Sequence, residues 1–144
     1  LPRIQTAKTG VFPFDDAKVE IRAFMPGDRL EIEANTLDVK REYRPTEDGE
    51  FDGVIVANTD RLRDMEMTVI KRVVGWDDKM LDENDTPMKC TDENKIKAMR
   101  GMDGFYTFVE KYGKQLDADV RKEKELERKN SVSTPSGSEK AATK

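Results

Sequence analysis

The sequence predicts an α+β domain, with a small antiparallel sheet in the N-terminal half packed against about three helices in the C-terminal half. Three observations predict it. Between residues 18 and 34 apolar residues alternate with charged ones, the period of a half-buried strand. Between residues 59 and 116 they recur every three to four positions, the period of a helix packed along one face. Pro- and Gly-containing clusters punctuate the chain between these patterns.

Residues 1–13 show no period and read as an N-terminal arm, 14–120 as the single domain, and 121–144 as a charged and then disordered tail. The first strand is expected from Lys18, where Val19, Ile21 and Ala23 alternate with Glu20 and Arg22. Pro26-Gly27 suits a type II turn. Leu30, Ile32 and Ala34 then alternate with Glu31 and Glu33, so a hairpin that sets Ile21 opposite Ile32 makes one face apolar and the other charged. The rival reading of this stretch is a helix capped by Asp28 with Glu31 completing a capping box; period 2 favours the hairpin. Leu37, Val39, Arg41 and Tyr43 suggest a third strand, Pro45 to Gly49 a turn, and Val54 to Ala57 a further strand.

Leu62, Met65, Val69, Ile70 and Val73 form one stripe of a helix from about Thr59 to Val74, with N-cap candidates at Asn58, Thr59 and Asp60 and Gly75 placed to end it in the left-handed region. A polar loop follows through Pro87. Thr91 is suited to cap a short helix carrying Ile96 and Met99, which Gly101 closes. The last helix opens near Asp103 with Phe105, Phe108, Val109, Tyr112 and Leu116 on one face, and its charged continuation past Asp117 is able to extend into solvent. Trp76 is expected where the Thr59–Val74 helix meets the closing helix, stacked near Phe108.

The chain contains no histidine, which removes the commonest general base, the commonest zinc ligand and every imidazole triad. No P-loop or dinucleotide-binding fingerprint is present. The acidic loop Asp82-Glu83-Asn84-Asp85 starts like a calcium loop, but Pro87 stands where that loop needs Gly and Cys90 at its ninth position. Pairs such as Asp15-Asp16 and Asp77-Asp78 lie in polar surroundings and read as surface. The lone Cys90 reads as a packed small residue in a reducing compartment. Residues 121–144 carry seven Lys or Arg against four Asp or Glu, leaving residues 1–120 at a net −7, which disfavours nucleic acid as a partner. No apolar run is long enough for a membrane span. No catalytic, metal-binding or cofactor-binding residue is assigned.

What remains is apolar material for protein binding. Most of the aromatic group reads as core. Tyr106 falls off the main stripe and Trp76 opens a loop; Met67 and Met102 also lie off the stripes that claim Met65 and Met99. Met67, Trp76, Met102 and Tyr106 are therefore the candidate partner-binding residues, with Phe12 and Phe14 of the arm beside them.

One further pattern runs through Gly75-Trp76-Asp77-Asp78, the turn Asp82-Glu83-Asn84-Asp85-Thr86-Pro87, the cap Thr91-Asp92-Glu93-Asn94, the short helix 96–100 and the closing helix 105–116. In the order of its parts, over residues 60–116, it resembles the tail assembly chaperones of long-tailed bacteriophages. That family usually has Gly where this chain has Asp85, and often an apolar residue where it has Cys90. The resemblance implies a protein without cofactor or enzymatic activity that binds the tape measure protein, helps recruit tail tube protein, works in the host cytoplasm and is absent from the mature virion. Two other classes stay open. A structural component of a phage or bacterial particle would sediment with purified particles, and a carboxylate-dependent metal enzyme would bind Mg²⁺ or Mn²⁺ at residues 77–85.

Overall fold

The computed structural model describes residues 1–4 and 6–132, and it is an α+β structure. Two strands open it, β1 (Thr9–Phe14) and β2 (Ala17–Arg22). Helix α1 (Asp28–Thr36) leads into β3 (Leu37–Pro45) and β4 (Phe51–Thr59). Helix α2 (Arg61–Arg72) runs directly into β5 (Val73–Trp76), and α3 (Asp92–Gly101) and α4 (Phe105–Val132) complete the chain. The expected disorder of the tail falls, from residue 133 on, outside the described residues; 121–132 continue α4, with 121–130 exposed to solvent.

Strands β1, β2 and β5 form one antiparallel sheet with β2 in the centre. The alternation that predicted β2 is real: Ala17, Val19, Ile21 and Ala23 are buried. They join Val69 and Val73 and the inner stripe of α4, Phe105, Val109 and Leu116, in one core. Part of the expected arm is structured too. Asp15 takes a left-handed φ of 54° in the two-residue turn that folds β1 back on β2, a conformation Asp tolerates better than most residues. Phe12 then stacks on Tyr112 at 4.2 Å, and Phe14 meets Phe105 edge-on at 5.2 Å. Both are half-buried in the packing of β1 on α4.

The hairpin expected across Pro26-Gly27 does not form; Asp28–Thr36 is helix. Both edges of β2 are already taken, by β1 and β5, so no edge is left for a strand at residues 30–34. Within α1 the buried positions are Asp28, Ile32 and Thr36, spaced by four. Leu30 and Ala34, which period 2 placed beside Ile32, face solvent. Gly27 is the N-cap, without a side-chain cap bond. The Asp28 carboxylate instead accepts hydrogen bonds from the Met25 N–H and from Arg22, both at 2.7 Å.

Burial works to raise the Asp28 pKa, but the Arg22 guanidinium and the Met25 N–H outweigh it and hold the carboxyl below its ordinary value. Glu66 is likewise lowered, first by the Arg100 guanidinium. A carboxyl depressed in the folded state adds stability above its unfolded pKa and loses it as pH falls through the folded one. Melting temperature should therefore fall progressively from about pH 5 downward. Asp28→Asn should flatten that fall in thermal melts at constant ionic strength; an unchanged profile would mean that this pair does not contribute to acid sensitivity.

Helix α2 ends at Arg72, earlier than predicted, because the β-branched pair Val73-Val74 continues as a strand that completes the sheet. Gly75 lies within β5 and is not a helix cap. Asp60 is the N-cap, its side chain accepting from the Arg63 N–H. Leu62, expected on the buried stripe, is exposed in the first turn.

The second sheet is a two-stranded ribbon, β3 with β4, in continuous antiparallel register from Leu37↔Thr59 to Pro45↔Phe51. Gly49, with φ of 87°, and the Thr46–Glu50 backbone hydrogen bond close its tip. At its base the Asp60 N–H donates to the Thr36 carbonyl. Elsewhere the ribbon makes only sparse contacts with the rest of the domain.

Candidate docking groove

The loop between β5 and α3 is held by its own polar groups. One Asp82 carboxylate oxygen accepts from the Asn84 N–H at 2.8 Å and the Thr86 N–H at 3.0 Å, and those bonds, Thr86 first, pull the Asp82 pKa down. Asp85 turns the chain with φ of 59°. Leu81 bridges Pro87, and the Met88 N–H donates to the Met80 carbonyl. The result is a short, stiff finger with Met80 buried beneath it and Leu81 left 39% exposed.

Beside the finger lies the elbow between α3 and α4. Thr91 caps α3 as expected, its hydroxyl accepting from the Asn94 N–H. The helix stops at Gly101, Met102 is its C-cap, and Gly104, with φ of 78°, redirects the chain into α4. Met102 is half-buried at that corner.

Two clefts open around these parts and share Leu81 and Met102 as walls. One, of about 500 Å³, lies between the finger and α3, with Met88 and Ala98 among its lining residues. Its mouth is crossed by Lys97 and Glu83, 3.6 Å apart. The other, of about 520 Å³, runs toward the β1–β2 turn over Phe14, Ala17 and Met80, with Asp15, Asp16 and Asp103 around it. Together they form a shallow channel with apolar walls and charged margins. Such a channel offers contact area for an apolar stripe and charges to set its direction. Among the described residues, no three or more Cys, Asp or Glu side chains converge on a metal-sized site, and no helix is long and apolar enough to cross a membrane.

Of the four candidate residues, only Met102 lines this channel. Met67 is buried, 7% exposed. Its helix is packed by α1, α3 and α4, so α2 has a wide buried arc, Glu66 to Val69, where a single stripe was expected. Trp76 is partly buried against the core. Its ring lies edge-on to Phe105 at 6.3 Å rather than on Phe108, and its indole N–H donates to the Met88 carbonyl at 2.8 Å. It therefore supports the floor of the channel from behind. Tyr106 belongs to a different cleft, with Arg61 and Lys114; its hydroxyl donates to Glu110 at 3.1 Å. Burial first, then the Glu110 charge, push its phenol up to about 12.

Sequence reasoning missed Leu81, although a leucine between Met80 and a run of acidic residues is the signal that finds it. It also missed Arg72, which is 1% exposed. Arg72 holds Asp117 end-on through both terminal nitrogens at 3.1 and 2.8 Å and reaches Glu110 at 3.3 Å. Its guanidinium carbon lies 3.7 Å from the centre of the Phe24 ring. Tyr106, through Glu110, is an outlying member of this internal network.

Comparison with protein-family models gave no match, and comparisons with curated proteins and with solved structures gave none either.

Proposed function

We propose that this protein is a non-enzymatic assembly factor of the tail assembly chaperone kind, which holds an amphipathic helical segment of a phage tape measure protein in the channel around Leu81 and Met102 and helps recruit tail tube protein. It acts in the host cytoplasm and is left out of the finished virion. The observation that carries the reading is that channel. Apart from the β1–β2 turn it is built from the segment whose order of parts resembles the family, and methionine and leucine side chains line it, deformable contacts for a ligand whose sequence varies along its length. A second observation supports the resemblance. Asp85, standing where the family usually has Gly, has the left-handed φ that favours glycine.

The reading is tested by co-expressing the chain with the tape measure protein of the same genome. The soluble fraction of that long protein should rise and the two should co-purify. Tape measure protein that stays insoluble, or recovery of this chain in purified virions, would count against a chaperone; the second result would favour a structural component of the particle.

A further inference from the structure

We propose that the ribbon β3–β4 is a self-association surface, on which a second copy of this chain lays the same ribbon face about a two-fold axis parallel to the strands. Residues directly opposite in the register share a face, so one side of the ribbon carries Leu37 with Thr59, Val39 with Ala57, Arg41 with Ile55, and Tyr43 with Gly53. The other side carries Asp38, Lys40 and Glu42, which stand across from Asn58, Val56 and Val54. Charge is thus sorted almost wholly to one face, the pattern of a sheet with one buried side. In the single chain that side is open: Val39 is 56% exposed, Tyr43 64% and Ile55 66%.

A two-stranded ribbon by itself is marginal in water and needs its apolar face covered. Among the described residues nothing supplies the cover, since the ribbon touches the other elements only sparsely. The Tyr43 ring leans across Gly53, where an added Cβ would meet it at 3.4 Å, and spreads apolar area over that face. A face with a single charge offers little to a charged partner, and its natural complement is another apolar sheet face stacked about 10 Å away. A second copy provides one at equal concentration. With the axis along the strands, β3 of each copy lies over β4 of the other. Arg41 then packs on Ile55 of the second copy, and the two guanidinium groups sit at opposite edges, both in reach of water. Nine-residue strands give a face about 30 Å long and about 10 Å wide. Stacking two such faces covers about 600 Å² in all, less than a standard specific interface and in the range of a weak, transient one. The dimer is accordingly weak and concentration-dependent.

Sedimentation velocity of the full chain from low-micromolar to several hundred micromolar should show the 16.5 kDa monomer giving way to a species of twice that mass. Ile55→Lys or Val39→Lys should hold the chain monomeric throughout. Val56→Lys puts the same charge on the opposite face of the same strand and should leave dimerisation intact, which separates loss of the face from melting of the ribbon. A chain that stays monomeric at every concentration would overturn the proposal. So would a dimer indifferent to Ile55→Lys, or one lost equally in Val56→Lys. The substitutions lie away from the Leu81–Met102 channel, so this outcome and that of the co-expression test are independent.

Discussion

Replacing Asp117 with alanine should destabilise the fold by about 3–5 kcal/mol in urea unfolding, the usual cost of stripping the partner from a buried ion. The Arg72 guanidinium has no route to water. Without Asp117 it keeps only the 3.3 Å contact to Glu110, a 3.4 Å bond to the Arg22 carbonyl and the Phe24 ring. The Phe24 N–H, which donates to Asp117 at 2.9 Å, loses its acceptor as well. Because these groups come from α2, α4 and the segment after β2, the loss should reach the whole cooperative unit and not one helix end. Asp117→Asn keeps the shape and part of the hydrogen bonding and should fall between wild type and Asp117→Ala. A loss below about 1 kcal/mol for the alanine variant would place it among ordinary surface substitutions and show that Arg72 relaxes to another partner.

Gly113 gives the same network an independent check. A Cβ there would lie 2.3 Å from the Arg72 Cδ and Nε, and Arg72 is pinned at its far end and has nowhere to move. Gly113→Ala should therefore cost about 1–3 kcal/mol by overpacking, although alanine is the better helix former. With Arg72→Ala already in place the sign should reverse, and Gly113→Ala should stabilise by up to about 1 kcal/mol through helix propensity. Additive effects across this double-mutant cycle would rule out the direct contact.

How far the fold was legible in the sequence follows from which interactions are local. Thr91 and Asp60 cap helices by bonding three residues ahead, and the stripe Phe105, Val109 and Leu116 needs only one helix face to be covered. Such features survive without tertiary knowledge. Period failed at residues 28–36 because Leu30, Ile32 and Ala34 suit either structure, and the choice rests on whether β2 has a free edge, a fact settled by Thr9–Phe14 and Val73–Trp76 at a distance. Met67 failed for a related reason: an apolar residue off one stripe is exposed only if its helix is covered on one side, and α2 is covered on several. Of the candidate site, Met102 was visible as an apolar residue just past a helix-closing Gly. Leu81 becomes a wall of the channel only once the Asp82-centred turn stands it beside α3.

That contrast separates the four candidate residues experimentally. Trp76, the one tryptophan of the chain, is bonded to the backbone of Met88 in the channel wall. Its emission should therefore report the proposed docking, with a synthetic amphipathic helix of the kind a tape measure protein carries as the probe. Leu81→Glu and Met102→Glu each put a carboxylate on an accessible wall. Each should cost the fold less than about 1 kcal/mol, yet weaken docking at least about 30-fold, because apolar anchors at the centre of an interface carry about 2 kcal/mol or more apiece. Met67→Glu should behave in the opposite way. It buries a charge with no partner, so the protein should be lost to unfolding before binding can be measured. Tyr106→Phe removes one hydrogen bond to Glu110 and should cost about 0.5–1.5 kcal/mol of stability while leaving docking unchanged. Wild-type affinity in both the Leu81 and Met102 variants would show that the helix is gripped elsewhere on the domain, and loss of binding in Tyr106→Phe would point to the Arg61–Lys114 cleft instead.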